Sequence, residues 1–323
     1  MYRLDAPASV SGMASPTIDL TGTLFFPVTP FDDVGEVDLT AYRAHLEGNL
    51  AFEPGGVFAA CGTGEFHAID AGEYRLIARE TVAVTDGRTP VFNGAGGPVR
   101  AAREFARIAR DEGVDGLLVM PPYLVAGTGE GLVSYIASIV EIGLPVIVYH
   151  RGTARLDEST ALALSRMPGV IGIKNGVGDL EAMRRIVPVI EDDRGPDAPR
   201  FLFFNGLPTA EVTQAAYRAI GVDLYSSAAF AFVPDVAVAF RRALERGDGD
   251  ALARLEREFY HPVARLRDRR PGYAVALVKA GVSLGGVAAG SVRPPLTDVT
   301  PEERDELAEL IARGRALAAE LTG

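Results

Sequence analysis

The 323-residue chain has a single cysteine, Cys61, so an intrachain disulfide is not open to it and its fold does not depend on an oxidising compartment. Basic charge is also scarce. Asp and Glu number 43 against 32 Lys and Arg, and the net charge of -11, with no basic stripe to offset it, repels nucleic-acid phosphates and anionic membranes. No window has the apolar length of a membrane span, and the N-terminal "MYRLDAPASVSGMASPTIDL" lacks both the basic and the apolar regions of a secretory signal. Neither nucleic acid nor membrane is an expected partner, and a cytoplasmic location is the default. The four histidines, His45, His67, His150 and His261, show no metal-ligand spacing, and no flavin or NAD fingerprint occurs, so neither metal nor cofactor is expected.

The rarest charge of all is lysine: only Lys174 and Lys279 occur, and every other basic residue is arginine. Lys174 stands at the end of the short apolar run "VIGIKNG".

What the chain has is apolar material, 48% hydrophobic residues against 23% charged, enough for a large core. Apolar runs bounded by Gly, Pro or Asp give eight candidate strands, starting at Leu24, Gly56, Pro90, Gly116, Pro145, Val170, Phe201 and Asp223. They recur every 22 to 34 residues or so, roughly the size of a strand-helix unit. Amphipathic segments such as "VRAAREFARIARDEG" and "TAEVTQAAYRAIG" lie between them. Near-continuous apolar strands alternating with helices imply parallel strands covered on the outside, and eight units imply an α/β fold of the TIM (β/α)8 barrel type. An open doubly wound sheet would place a Gly-rich phosphate turn after the first strand, where this chain has "PVTPFDDVGEVD". Residues 22–234 form the expected barrel, 1–21 a loosely ordered N-terminal segment rich in Ser, Ala and Pro, and 235–323 a C-terminal helical subdomain. "TPEE" opens its last helix, with Thr300 as cap, Pro301 at the first position and Glu303 completing a capping box.

Active sites of such barrels lie at the C-terminal ends of the strands. Those ends supply Gly62, Thr63 and Gly64 of "GTGE", Tyr123 of "PPY", Tyr149, His150 and Arg151 of "YHR", Lys174, Gly206 of "NGLPT", and Ser226 and Ser227 of "SSAAF". A desolvated lysine loses its proton and attacks a carbonyl carbon as a neutral amine, which a guanidinium does not do. Schiff-base chemistry therefore accounts for a lysine kept at position 174; the alternative is a rim lysine or one paired with Glu65. Lys279, in the helical "YAVALVKAG", reads as a packed or snorkelling side chain. Tyr149 reads equally as a proton relay and as a core aromatic. The "GTGE" turn offers backbone N–H groups and the Thr63 hydroxyl to a carboxylate.

Lys174 on the sixth strand and Tyr149 on the fifth make the chain resemble the dihydrodipicolinate synthase and N-acetylneuraminate lyase superfamily of class I aldolases. "FPVTPFD", "GTGEF", "VIGIKNGVGD", "GLPTAEV", "YSSAAFAFVPD" and "VRPPLTD" bring it nearest to the 5-dehydro-4-deoxyglucarate dehydratase branch, over about Gly22 to Leu296. The resemblance implies that Lys174 forms an imine with the 2-oxo group, Tyr149 relays protons, and Thr63 with the neighbouring turn amides holds the C1 carboxylate. It implies substrate contacts from Gly62, Gly64, Tyr123, Arg151, Gly206 and Ser227, a 2-oxo sugar acid as small-molecule partner, no cofactor, and a homotetramer. A C3 proton and the C4 hydroxyl would be lost, and decarboxylation would give 2,5-dioxopentanoate, water and CO2.

The chain departs from the dehydratase pattern where His150 replaces Asn after the tyrosine, where Gly152 and Thr153 follow Arg151 in place of Asp and Asn, where Asn175 replaces Asp after the lysine, and where Ala231 replaces Asn. Arg155 stands one residue later than the synthase arginine. Lys174 and Tyr149 carry over while the groups reading the far end of the substrate do not, which leaves room for a related 2-oxo sugar acid. Two other readings stay open: a pyruvate-dependent class I aldolase using the same lysine, and a sugar-acid-binding protein on a decayed barrel.

Overall fold

The computed structural model describes residues 18 and 20–322. Most of the expected loose N-terminal segment lies outside the described residues, but Leu20 is fully buried, with a methyl group packed close over Gly56.

Eight strand-helix units follow in order: β1 (Leu24–Phe25), α1 (Leu39–Leu50), β2 (Gly56–Ala59), α2 (Ala71–Thr85), β3 (Val91–Ala95), α3 (Val99–Asp111), β4 (Gly116–Val119) and α4 (Gly129–Val140). The second half comprises β5 (Val146–His150), α5 (Glu158–Ser165), β6 (Val170–Asn175), α6 (Leu180–Arg194), β7 (Leu202–Asn205), α7 (Glu211–Arg218), β8 (Leu224–Ser227) and α8 (Pro234–Arg246). All neighbouring strands pair in parallel, and β8 returns to β1 to close the barrel, as the alternation of apolar strands and amphipathic helices predicts. Aspartates start several of the helices: the side chains of Asp38, Asp70, Asp157 and Asp179 accept from backbone N–H groups of the first turns of α1, α2, α5 and α6. Part of the acidic excess is thus helix capping.

Register fixes which side chains fill the barrel. Phe58 pairs with Phe92, Phe92 with Gly116, Tyr149 with Lys174, and Lys174 with Phe204. With a side-chain period of two, these residues share the interior face. Phe26 and Phe58 stack at 4.7 Å, Phe58 and Phe92 at 4.9 Å, and Phe204 meets Phe58 edge-on at 6.1 Å. Gly116 makes room for this layer, since a Cβ there would sit 2.3 Å from the Phe92 ring. The aromatic layer is the floor on which Lys174 rests.

Past α8 the chain continues through α9 (Gly249–Leu255), a π-helical turn (Glu256–Tyr260), α10 (His261–Arg267), α11 (Tyr273–Leu284) and α12 (Pro301–Thr322). The capping box of α12 is present: Glu303 N–H donates to Thr300 Oγ1 at 3.2 Å, and Thr300 N–H to Glu303 Oε2 at 3.0 Å. α11 lies close over the barrel mouth, because Gly281 admits the Phe232 ring where a Cβ would be 2.5 Å from it. Among the described residues no helix is long and apolar enough to cross a membrane.

Candidate active site

A cavity of about 420 Å³ opens at the C-terminal ends of the strands. Gly62, Thr63, Tyr123, Tyr149, Arg151, Lys174 and Gly206 all line it, brought there by the ends of five different strands. Lys174 enters at the bottom, 5% exposed, with Nζ 4.2 Å from the centre of the Phe26 ring and 4.5 Å from that of Tyr149. Burial without a carboxylate partner pushes its ammonium below the ordinary lysine range, towards the neutral amine. The rings stabilise the cation, but desolvation outweighs them.

Tyr149 is held from both sides. Its hydroxyl donates to the Gly206 carbonyl at 3.0 Å and accepts from Arg151 Nη1 at 2.9 Å. Two glycines make this packing possible, since a Cβ on Gly176 would lie 2.7 Å from the tyrosine ring and one on Gly206 2.7 Å from Lys174 Cγ and Cε. A hydroxyl with one donor and one acceptor contact beside an amine is placed to pass a proton in either direction.

The turn after β2 forms the facing wall. Thr63 is half-buried in it, and the N–H groups of Gly62, Thr63 and Gly64 have no partner among the described residues. Gly64 does not line the cavity: it packs beneath the turn, a Cβ there meeting the Ala60 backbone at 3.2 Å, and its carbonyl accepts from Thr29 Oγ1 at 2.8 Å.

The expectation for Ser227 is corrected as well. Ser227 pairs in register with Phe25, which faces outward onto His45 and Phe230, so Ser227 points away from the cavity and donates to Glu211. Its neighbour Ser226 lines the cavity instead. Of the two readings of Lys279 the packed one holds: it is 1% exposed and its Nζ donates to the buried Glu65 carboxylate at 2.8 Å. The Glu65 pairing considered for Lys174 therefore belongs to the other lysine.

Among the departures from the dehydratase pattern, Gly152 and Thr153 face the cavity, while His150, Asn175 and Ala231 do not line it. His150 alternates with Tyr149 and points to the helix layer, where burial lowers its imidazole pKa to about 4, helped by the Arg155 charge. Asn175 braces the loop after β6, its side chain donating to Tyr217 and accepting from Val177 N–H at 2.8 Å.

The sequence reading missed the cavity's far walls. Phe26 from the loop after β1, Thr209 and Phe232 from the loops after β7 and β8, Tyr260 from the π-helical turn, Arg267 at the end of α10, and Leu277 and Val278 of α11 all reach it. Arg267 Nη1 donates to the Pro208 carbonyl at 2.8 Å and Thr209 Oγ1 at 2.7 Å, joining the C-terminal helices to the β7 loop. Lys174, Arg151 and Arg267 are the charged residues among those lining the cavity; no carboxylate is among them, in a chain of net charge -11. Among the described residues no group of three or more His, Cys, Asp or Glu is placed to hold a metal.

The model of the dihydrodipicolinate synthetase family matches residues 19–313. The chain belongs to this family. Within it the chain is 50% identical, over 94% of both sequences, to a probable 5-dehydro-4-deoxyglucarate dehydratase of Streptomyces griseus. It is 47% identical to a protein named probable 5-dehydro-4-deoxyglucarate dehydratase 1 of Streptomyces coelicolor, over 94% of this chain and 96% of that one. The dihydrodipicolinate synthase structure from Oceanobacillus iheyensis superposes with a TM-score of 0.81, covering 90% of this chain and 95% of that one at 24% identity, a likeness of fold.

Proposed function

We propose that this member of the dihydrodipicolinate synthetase family is a Schiff-base-forming hydro-lyase that converts 5-dehydro-4-deoxyglucarate, or a closely related 2-oxo sugar diacid, to 2,5-dioxopentanoate, water and CO2. The observation that carries the reading is Lys174: a buried lysine without a carboxylate partner, lodged against Tyr149 at the bottom of a cavity whose charged lining residues are cations alone. Two carboxylates and a ketone match that lining. The identity to relatives named for this dehydration supports the substrate class.

In this reading the neutral Lys174 amine attacks the 2-oxo carbon, Tyr149 carries protons to and from the carbinolamine, and water leaves as the imine forms. The turn N–H groups and the Thr63 hydroxyl hold the C1 carboxylate, and Arg151 with Arg267 attract the distal one. The cationic imine nitrogen accepts the electron pair released when the C3 proton departs, and the resulting enamine expels the C4 hydroxyl as water. The extended imine then takes the electron pair of the C5–C6 bond as the distal carboxylate leaves as CO2. Protonation and tautomerisation give the aldehyde at C5, and hydrolysis frees Lys174.

The test is borohydride reduction in the presence of 5-dehydro-4-deoxyglucarate, with peptide mapping of the adduct, alongside measurement of CO2 and 2,5-dioxopentanoate. An adduct on Lys174, with both products formed by the native protein and neither by Lys174→Arg at an unchanged melting temperature, is the expected result. Product formation by Lys174→Arg would sink the mechanism, and pyruvate release without CO2 would replace dehydration by aldol cleavage.

A further inference from the structure

The second of the two lysines sits where its loss would be felt at the same site. Lys279 follows directly on Leu277 and Val278, two α11 residues that wall the cavity. Its ammonium donates to Glu65 Oε1 at 2.8 Å and to the Ser291 carbonyl at 2.8 Å, and lies 4.0 Å from the centre of the Phe31 ring. The other Glu65 oxygen accepts from Arg293 N–H at 2.8 Å. Both charged side chains are buried, and Glu65 closes the turn that begins at Gly62 through its own N–H bond to the Gly62 carbonyl at 3.2 Å.

Glu65 itself adopts φ 55° and ψ 41°, the left-handed conformation that a non-glycine residue holds only where its surroundings over-determine it. Here the surroundings are Lys279, Arg293 N–H, and the Thr29 bond to the neighbouring Gly64 carbonyl. A compact ammonium with three donors suits two oxygen partners and an aromatic face in one buried spot, where a planar guanidinium would not fit the same three directions. One side chain thus ties α11, the loop after β1, the 289–293 segment and the β2 turn together.

Building on the imine reading above, we infer that Lys279 is a positioning residue, which through Glu65 fixes the Gly62–Thr63–Gly64 turn so that it can receive the carboxylate next to the reacting oxo group. The two lysines of the chain then serve one site, one as nucleophile and one as anchor for the group that orients its target. The anchor also explains how the C-terminal helices act on the barrel, since α11 both walls the cavity and sets the turn opposite Lys174.

The test uses pyruvate, which carries only the carboxylate and oxo group, with the full-length native protein, Lys279→Met, and the double variant Lys279→Met with Glu65→Gln. Calorimetric affinity, borohydride trapping on Lys174 and melting temperature are measured together. The double variant removes both buried charges while the introduced glutamine side chain keeps an acceptor for Arg293 N–H, so it answers the question even where the single variant fails to fold. The expected result is a double variant with a melting temperature near the native one, pyruvate affinity reduced at least about tenfold, and an adduct on Lys174 that still forms at saturating pyruvate. Native affinity in that folded double variant overturns the inference, leaving the pair a purely structural one. A native protein that binds pyruvate but traps no adduct sinks the imine reading alone, and the affinities of the variants still decide the positioning role; a native protein that does not bind pyruvate overturns both.

Discussion

Tyr149 and Lys174 are register partners on β5 and β6, and the Lys174 ammonium lies 4.5 Å from the centre of the tyrosine ring. The pairing puts ring and amine side by side on the inner face, so the packing role and the relay role of Tyr149 can be separated by a single atom. Tyr149→Phe keeps the ring against Lys174 and removes the hydroxyl that bridges Gly206 and Arg151. The expected outcome is a kcat lower by roughly 10² to 10⁴, with the pyruvate concentration for half-maximal trapping changed only a few-fold. Steady-state rates beside borohydride trapping make the comparison, and an unchanged kcat would remove Tyr149 from the proton path.

Gly206 gives a steric test of the same geometry. A Cβ there would lie 2.7 Å from Lys174 Cγ and Cε and 2.9 Å from the Asn175 carbonyl, so Gly206→Ala must displace the Lys174 side chain or the strand end. We expect imine formation slowed at least about tenfold and a stability loss of about 1–3 kcal/mol, the usual range for overpacking. Gly48 is the control: it lies on the exposed face of α1 with nothing within 4 Å of an added Cβ. Gly48→Ala should stabilise the protein by about 0.5–1 kcal/mol and leave catalysis alone. Equal trapping rates in the two variants would mean that Lys174 is less tightly framed than its contacts indicate.

The strands were legible because they announce themselves locally as eight bounded apolar runs, and the cavity lysine because it stands at a strand end in a chain that otherwise uses arginine almost throughout. What was not legible depends on parity and long-range packing. Ser226 and Ser227 are chemically identical neighbours, and only the pairing of Leu24 with Ser226 and Phe25 with Ser227 tells which one faces inward. His150 likewise reads as a site residue by adjacency to Tyr149, yet the pleat turns it outward. Lys279 sits in a helical apolar run with its carboxylate partner 214 positions away, a separation no local pattern encodes. Arg267, Leu277 and Val278 enter the cavity because the C-terminal helices fold back over the barrel mouth, and nothing in a helical period says what the helix will cover.

Arg151 allows the distal end of the substrate to be probed. The cavity offers Arg151 and Arg267 beyond Lys174, and Arg267 is already paired with its neighbour Asp268 at 2.7 Å, so Arg151 is the freer cation for a second carboxylate. Arg151→Met should raise KM for the six-carbon diacid about 10- to 100-fold while changing pyruvate affinity little, since pyruvate ends before that group. Loss of the contact to Tyr149 will also lower kcat, so the deciding quantity is the ratio of diacid to pyruvate affinity. A ratio unchanged from the native protein would place the distal carboxylate elsewhere.

Glu211 permits a prediction about pH and stability that does not involve turnover. It is fully buried at the start of α7, with one oxygen accepting from Ser227 Oγ at 2.5 Å and the other unpaired, and burial pushes its carboxyl up to about 7 despite that hydrogen bond. A folded pKa above the unfolded one makes a contribution that is fully present below about 4.5 and is lost as pH rises through about 7. Across that window the loss is on the order of 3 kcal/mol. His150 and His45, lowered by burial to about 4 and about 3, work in the opposite sense, losing stability as pH falls below 6.5. Total stability against pH therefore mixes the two trends, but the difference between the native protein and Glu211→Gln cancels both histidines and isolates the carboxyl. Urea unfolding at pH 5 and pH 8 should find the two proteins close at the lower pH and Glu211→Gln more stable by about 2–3 kcal/mol at the higher. Parallel curves would mean that Glu211 ionises in the folded protein as readily as in water, with its unpaired oxygen solvated after all.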